Sequence, residues 1–169
     1  MATRRAAGLE AAVVDHVPMI IGALDSSDTR AFEANVAGPV ALLIAKLHKI
    51  GERRDTPGRL ADKDAHDLYR LLLAVPTQPL AERMAGLLRD DFAGPAADQA
   101  MRLLIALFAN SPTAQGSMMA GRAEEGIGDP VMVSAAVSAL ANDLVEAVAE
   151  GGQPLWTVDG SHVSVRKPT

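Results

Sequence analysis

The chain has 169 residues, a formal net charge of −5 and no cysteine. That length suits one domain with a real core, and the lack of cysteine excludes disulfides, thiolate zinc sites and cysteine nucleophiles. Hydrophobic residues make up 49% of the chain but aromatic ones only 3%, which favours close-packed helices over a β-sandwich, while the acidic balance argues against broad nucleic-acid binding.

Residues 1–36 read as an N-terminal arm. Arg4 and Arg5 are followed by no apolar segment of signal-peptide type. No apolar run approaches the roughly 20 residues of a membrane span, so a cytoplasmic location without membrane partners is expected. Residues 10–15 and 19–24 are short apolar runs either side of Pro18. Asp25-Ser26-Ser27-Asp28 supplies a turn, and residues 31–36 alternate loosely. Two or three short strands are predicted. So small a sheet is marginal by itself; it either packs on helices or forms the edge of a larger sheet.

Residues 37–152 read as a helical bundle. Pro39 suits a first helical position, and Val40, Leu43, Ile44, Leu47 and Ile50 recur at helical spacing. Asp55-Thr56-Pro57-Gly58 breaks that helix, and Asp62 is predicted to cap the next, with Leu68, Leu71, Leu72 and Val75 facing inward. Pro76-Thr77-Gln78-Pro79 precedes a third helix over 80–89, and Gly94-Pro95 starts a fourth over 96–109. Residues 115–125 read as a loose connector of small residues. Asp129-Pro130 opens a long fifth helix that Gly151-Gly152 stops. In the tail, 153–169, Asp159-Gly160 is a hairpin signal, with a frayed terminus as the other reading. The expected fold is mainly α: a bundle of about five helices preceded by a small β element of two or three short strands.

The charges single out one place. At 100° per residue, Lys46, Lys49 and Arg53 fall within about 60° of one another, beside the apolar stripe of their helix. Asp64 and Asp67 share a face with Leu68 and Leu71 on the next, whereas Lys63 and Arg70 point away from it. Asp64 and Asp67 are therefore expected to meet Lys46 and Arg53 across a seam. The spacing supports two roles. One is an ion pair that fixes how two helices cross; the other is a nucleotide site, where cations meet phosphates and carboxylates hold the lysine or a metal. Elsewhere the signals are weak. His16, His48, His66 and His162 lack metal-ligand spacing and suit surface or capping roles. Asp90-Asp91 reads as a solvated turn, Met118, Met119 and Met132 as core or connector filling, and Trp156 as an anchor for the tail. No glycine-rich phosphate loop precedes a lysine-serine pair.

The run Ala37-Gly38-Pro39, Lys46-Leu47-His48-Lys49, Arg53, then Lys63-Asp64 and Asp67-Leu68 resembles the helical segment of abortive-infection-type nucleotidyltransferases, a branch of the polymerase-β-like superfamily. Members carry a helix of the form Lys-Leu-x-x-Leu-x-x-Arg, which Lys46 and Arg53 match, with Ile50 in an apolar slot. They then carry Lys-Asp-x-x-Asp-Leu, which Lys63, Asp64 and Asp67 match. The resemblance spans roughly residues 9–75. It implies a nucleotide-pocket wall formed by Lys46, Lys49, Arg53, Lys63, Asp64 and Asp67. The family's Gly-Ser and Asp-x-Asp catalytic motif has no counterpart here: Gly116-Ser117 lies downstream of the helices with no such pair behind it, and Asp15 alone does not make a metal site. The resemblance thus implies the back half of an enzyme, inactive alone and free of cofactor in isolation. Magnesium and a nucleoside triphosphate would enter with a missing or separately encoded catalytic half. The alternative is a helical interaction or regulatory module, antitoxin-like, in which the seam is structural.

Overall fold

The structure, a computed structural model, describes residues 7–54, 56 and 61–151. The sequence signals at Trp156 and Asp159-Gly160, and His162, lie outside the described residues. Among the described residues, seven α-helices and one two-stranded antiparallel sheet run in the order α1 (Ala11–Val14), β1 (His16–Gly22), β2 (Ala31–Ala37), α2 (Pro39–Arg53), α3 (Asp62–Ala74), α4 (Thr77–Leu88), α5 (Gly94–Leu104), α6 (Gln115–Arg122) and α7 (Pro130–Glu150). A π-helical turn, Ile105–Ala109, continues α5. The chain is therefore mainly helical with a small N-terminal β element, as its composition predicts.

Local chemistry sets several of these boundaries. The Asp129 carboxylate accepts hydrogen bonds from Val131 N (2.9 Å) and Met132 N (3.2 Å), with Pro130 at the first helical position. Asp90 Oδ1 accepts from Phe92 N and Ala93 N at 2.9 and 2.8 Å, folding the turn that leads into α5. The apolar stripe of α2 enters the core through Leu43, Ile44, Leu47 and Ile50, against Leu68 of α3, Met84 of α4 and Met101 and Leu104 of α5. Val137, Ala141, Leu144 and Val148 of α7 close the other side.

Three expectations change. Residues 10–15 form the one-turn helix α1 rather than a strand; a run that short has no period to separate the two. The two strands that form among the described residues fall within the expected two or three. The small-residue stretch at 115–125 is the helix α6, not a connector. Its buried Gly116 and Gly121 admit close neighbours: a Cβ at Gly116 would strike the Phe108 ring, and one at Gly121 would strike Ser134 and the Pro130 carbonyl. Met119 and Ala120 are buried with them, but Gly116, Ser117 and Gly121 fill the rest of the inner face, so a hydrophobic pattern fails to reveal this helix. Finally, Asp62 is the first residue of α3 rather than its cap; Ala61 occupies the cap without a side-chain bond, and the Asp62 carboxylate reaches across to Arg122 Nη2 at 2.8 Å.

Helix lengths shift as well. α4 starts at Thr77, with Pro79 in its first turn, and α5 starts at Gly94. The π turn leaves a carbonyl of the last turns free, and Ser117 Oγ donates to Phe108 O at 3.1 Å. α7 also corrects the sequence reading of membrane-length runs. By length and composition it could span a bilayer, with a mean hydropathy of 1.5. Here it is a wall of the bundle, Asn142, Asp143 and Glu146 facing outward.

Candidate functional site: the charged seam between α2 and α3

α2 and α3 pack against each other, which places their facing edges side by side. Gly38 and Pro39 start α2 and set its rotation, so that Val40, Leu43, Ile44 and Leu47 point inward and Lys46, Lys49 and Arg53 line the edge toward α3. On α3, Ala65, Leu68 and Leu72 are buried, and Asp64, one residue before Ala65, goes inward with them at 5% exposure.

The two edges meet as the spacing predicts. Lys46 Nζ lies 3.1 Å from Asp64 Oδ1 and 2.7 Å from Asp67 Oδ2, so one ammonium bridges both carboxylates. Lys49 Nζ donates to the same Asp64 Oδ1 at 2.7 Å, and Arg53 Nη1 reaches Asp64 Oδ2 at 3.5 Å. Five of the six expected residues thus form one cluster. Lys63 does not join it; exposed on α3, it acts on Asp67 only through its field.

The protonation states follow from these contacts. Burial pushes the Asp64 carboxyl up, but hydrogen bonds from Lys49 and Lys46 outweigh it and leave the group below its ordinary value. The Lys46 hydrogen bond holds Asp67 down as well. Burial works against the charged Lys46, yet bonds to Asp67 and Asp64 raise it above its ordinary value. All three are ionised at neutral pH. Three cations therefore face two carboxylates, which leaves the seam with one positive charge in excess. Lys49 and Arg53 stay partly open to solvent, with side chains 41% and 31% exposed. Such an arrangement can hold an anion against a preorganised cationic wall.

Further polar groups carry information that the sequence reading missed. Asp15, considered only as a stray carboxylate, is buried at the root of the hairpin. Its Oδ2 accepts Ala41 N at 2.8 Å, capping α2 from 26 positions upstream, while Arg83 Nε of α4 holds Oδ1 at 2.8 Å. Gly38 is required there, since a Cβ would run into the Asp15 carboxylate. Arg83 Nη2 also donates to Val14 O at 2.7 Å. No short-range motif announces such a cap. His48 is likewise not at the surface: it is buried, with Nε2 2.9 Å from Ala96 O, beside a hollow of about 390 Å³ on the far side of α2 from the seam. His66 Nε2 pairs with Glu124 Oε1 at 2.5 Å, and Arg122 with Asp62, tying α3 to the far end of α6. Among the described residues no group of three or more His, Asp or Glu side chains is placed to hold a metal ion.

No protein-family model, no curated protein and no solved structure matches the chain.

Proposed function

We propose that this chain is the helical half of a nucleotidyltransferase-superfamily protein, carrying one wall of a nucleotide pocket and no catalytic carboxylate set of its own. The observation that carries this reading is the convergence of Lys46, Lys49 and Arg53 on Asp64 and Asp67. The acids hold Lys46 in place, and Lys49 and Arg53, paired with Asp64 but partly open to solvent, bring the one excess positive charge to a triphosphate. Lys63, one turn from Asp67, adds a cation at the rim. A separately encoded catalytic half would supply the metal-binding carboxylates. With magnesium bound there, an acceptor hydroxyl attacks the α-phosphorus of a nucleoside triphosphate, the bond to the departing pyrophosphate breaks, and the hydroxyl proton leaves to solvent or base. This chain's cations stabilise charge on the departing phosphates. The work is cytoplasmic, where nucleoside triphosphates are abundant.

Titration of the purified chain with a magnesium–nucleoside triphosphate tests the reading. Weak binding without turnover is expected, and Lys46→Met together with Asp64→Leu abolishes the binding. Turnover by the chain alone, or binding untouched by the double substitution, overturns it. The β-hairpin favours a second reading, an interaction module in which the seam is structural. Its half-exposed Val17, Met19 and Phe32 need a cover that the described residues do not supply.

A further inference from the structure

The hairpin is unlike the rest of the molecule in its faces and in its edges. Register pairs Val17 with Val36, Met19 with Ala34 and Ile21 with Phe32, so one face of the ribbon is apolar throughout. Val17, Met19 and Phe32 on that face are 54%, 47% and 64% exposed. The opposite face is mixed, with Glu33 and Asn35 on β2.

The ladder shows which edge is open. Gly38 N donates to Asp15 O at 2.8 Å and Ala23 N to Arg30 O at 3.0 Å. In an antiparallel ladder this alternation turns the backbone groups of residues 17, 19 and 21 toward β2, and those of 16, 18, 20 and 22 outward. Pro18 therefore stands on the outer edge of β1 and removes a donor from it, a standard block to strand addition. The outer edge of β2, at Ala31, Glu33, Asn35 and Ala37, has no proline, lysine or bulge. The root is rigid, held by Asp15 to α2 and by Arg83 to α4.

We propose that the occupant of the β2 edge is a second copy of this chain, paired antiparallel across a two-fold axis at Ala34. Charge selects that register. An axis at Glu33 would set two glutamates directly opposite each other, which is unfavourable. An axis at Ala34 sets Glu33 opposite Asn35 of the second copy, and the reverse, so each carboxylate meets an amide donor. It also pairs the whole of Ala31–Ala37 with itself and sets Phe32 beside Val36 of the second copy on the apolar face. The result is a four-stranded sheet, β1-β2-β2-β1, closed at both ends by Pro18. Stacking the apolar faces alone falls short: three half-exposed side chains offer much less than the roughly 800 Å² per partner of a stable interface. The two-fold arrangement also carries each hairpin tip toward the other copy's root, where Leu9 and Val13 are exposed. The inference stands on the hairpin and is independent of the nucleotide reading of the seam.

Sedimentation of the full chain at about 100 μM, above the micromolar dissociation constant expected of a small interface, reads the mass directly. A dimer is expected. Asn35→Asp, which opposes two carboxylates, raises its dissociation constant roughly fivefold or more, and Asn35→Lys lowers it. Because the chain has no cysteine, Ala34→Cys adds a unique thiol on the axis. Non-hydrogen-bonded neighbours about 4.5 Å apart at Cα fall within disulfide reach. Mild oxidation gives a covalent dimer from Ala34→Cys and none from Glu33→Cys. A monomer at that concentration overturns the proposal, whatever else binds the edge. So does a dimer indifferent to the charge at 35 and unlinked through position 34.

Discussion

The helical bundle and the β-hairpin obey the same physics with opposite outcomes. In the bundle, Phe108, Leu43, Leu47, Met101 and Leu144 are fully covered, and among the described residues no buried side-chain nitrogen or oxygen lacks a hydrogen-bond partner. In the hairpin, an equally apolar set stands open to water on a ladder of seven residue pairs. Among the described residues the bundle is covered on its inner side, and the hairpin is packed only at its root. Apolar content alone does not make a core: the hairpin lacks a second layer, and a two-stranded ribbon has no inside.

Substitutions on the two sides can break this contrast. The largest effect belongs in the bundle: Phe108→Ala should cost about 3–5 kcal/mol, read from urea unfolding monitored by the helical signal. Next is the root, where Asp15→Ala removes the α2 cap and leaves Arg83 without its carboxylate, costing about 2 kcal/mol in the same measurement. Asp64→Leu alone leaves the three cations of α2 crowded on one edge with only Asp67 opposite them. It should cost about 2 kcal/mol, discounted because Lys49 and Arg53 are partly solvated, and added Lys46→Met should restore part of the loss. A pH series sharpens the same point. The Asp64 and Asp67 carboxyls titrate below their ordinary values. Their contribution is therefore fully present above the usual carboxylate pKa of about 4, and disappears as pH falls through their lower folded values. Lys46 titrates above its ordinary value. Its contribution holds below about 10.4, and is lost as pH rises through the folded value. Urea midpoints that do not fall in acid would separate the seam from stability. Smallest of all, Phe32→Ala in dilute solution should change stability by less than about 0.5 kcal/mol, since its ring covers little.

Much of the bundle was legible because its helices carry period and punctuation. Val40, Leu43, Ile44 and Leu47 mark α2, and Asp129-Pro130 marks α7. The seam was legible for the same reason: once two helices adjoin, angular position fixes which charges face, and Lys46 met Asp64 and Asp67 as the wheel requires. Three features were hidden. α6 buries Gly116, Ser117 and Gly121 beside Met119 and Ala120, which leaves too short an apolar stripe to read. Asp62 carries the usual signal of a cap, but Arg122 offers it a charged partner and the side chain turns away from its own helix. The Asp15 cap depends on a tertiary approach that no spacing along the chain encodes.

That last contact has a kinetic consequence. The first turn of α2 receives its acceptor from a residue 26 positions earlier, beyond the intervening hairpin. The start of this helix is therefore secured late, after a loop of that length has closed and Arg83 has arrived from α4. Folding should begin among the later helices and reach the amino end of α2 last, and Asp15→Ala should speed amide exchange at Ala41, whose N–H loses its acceptor.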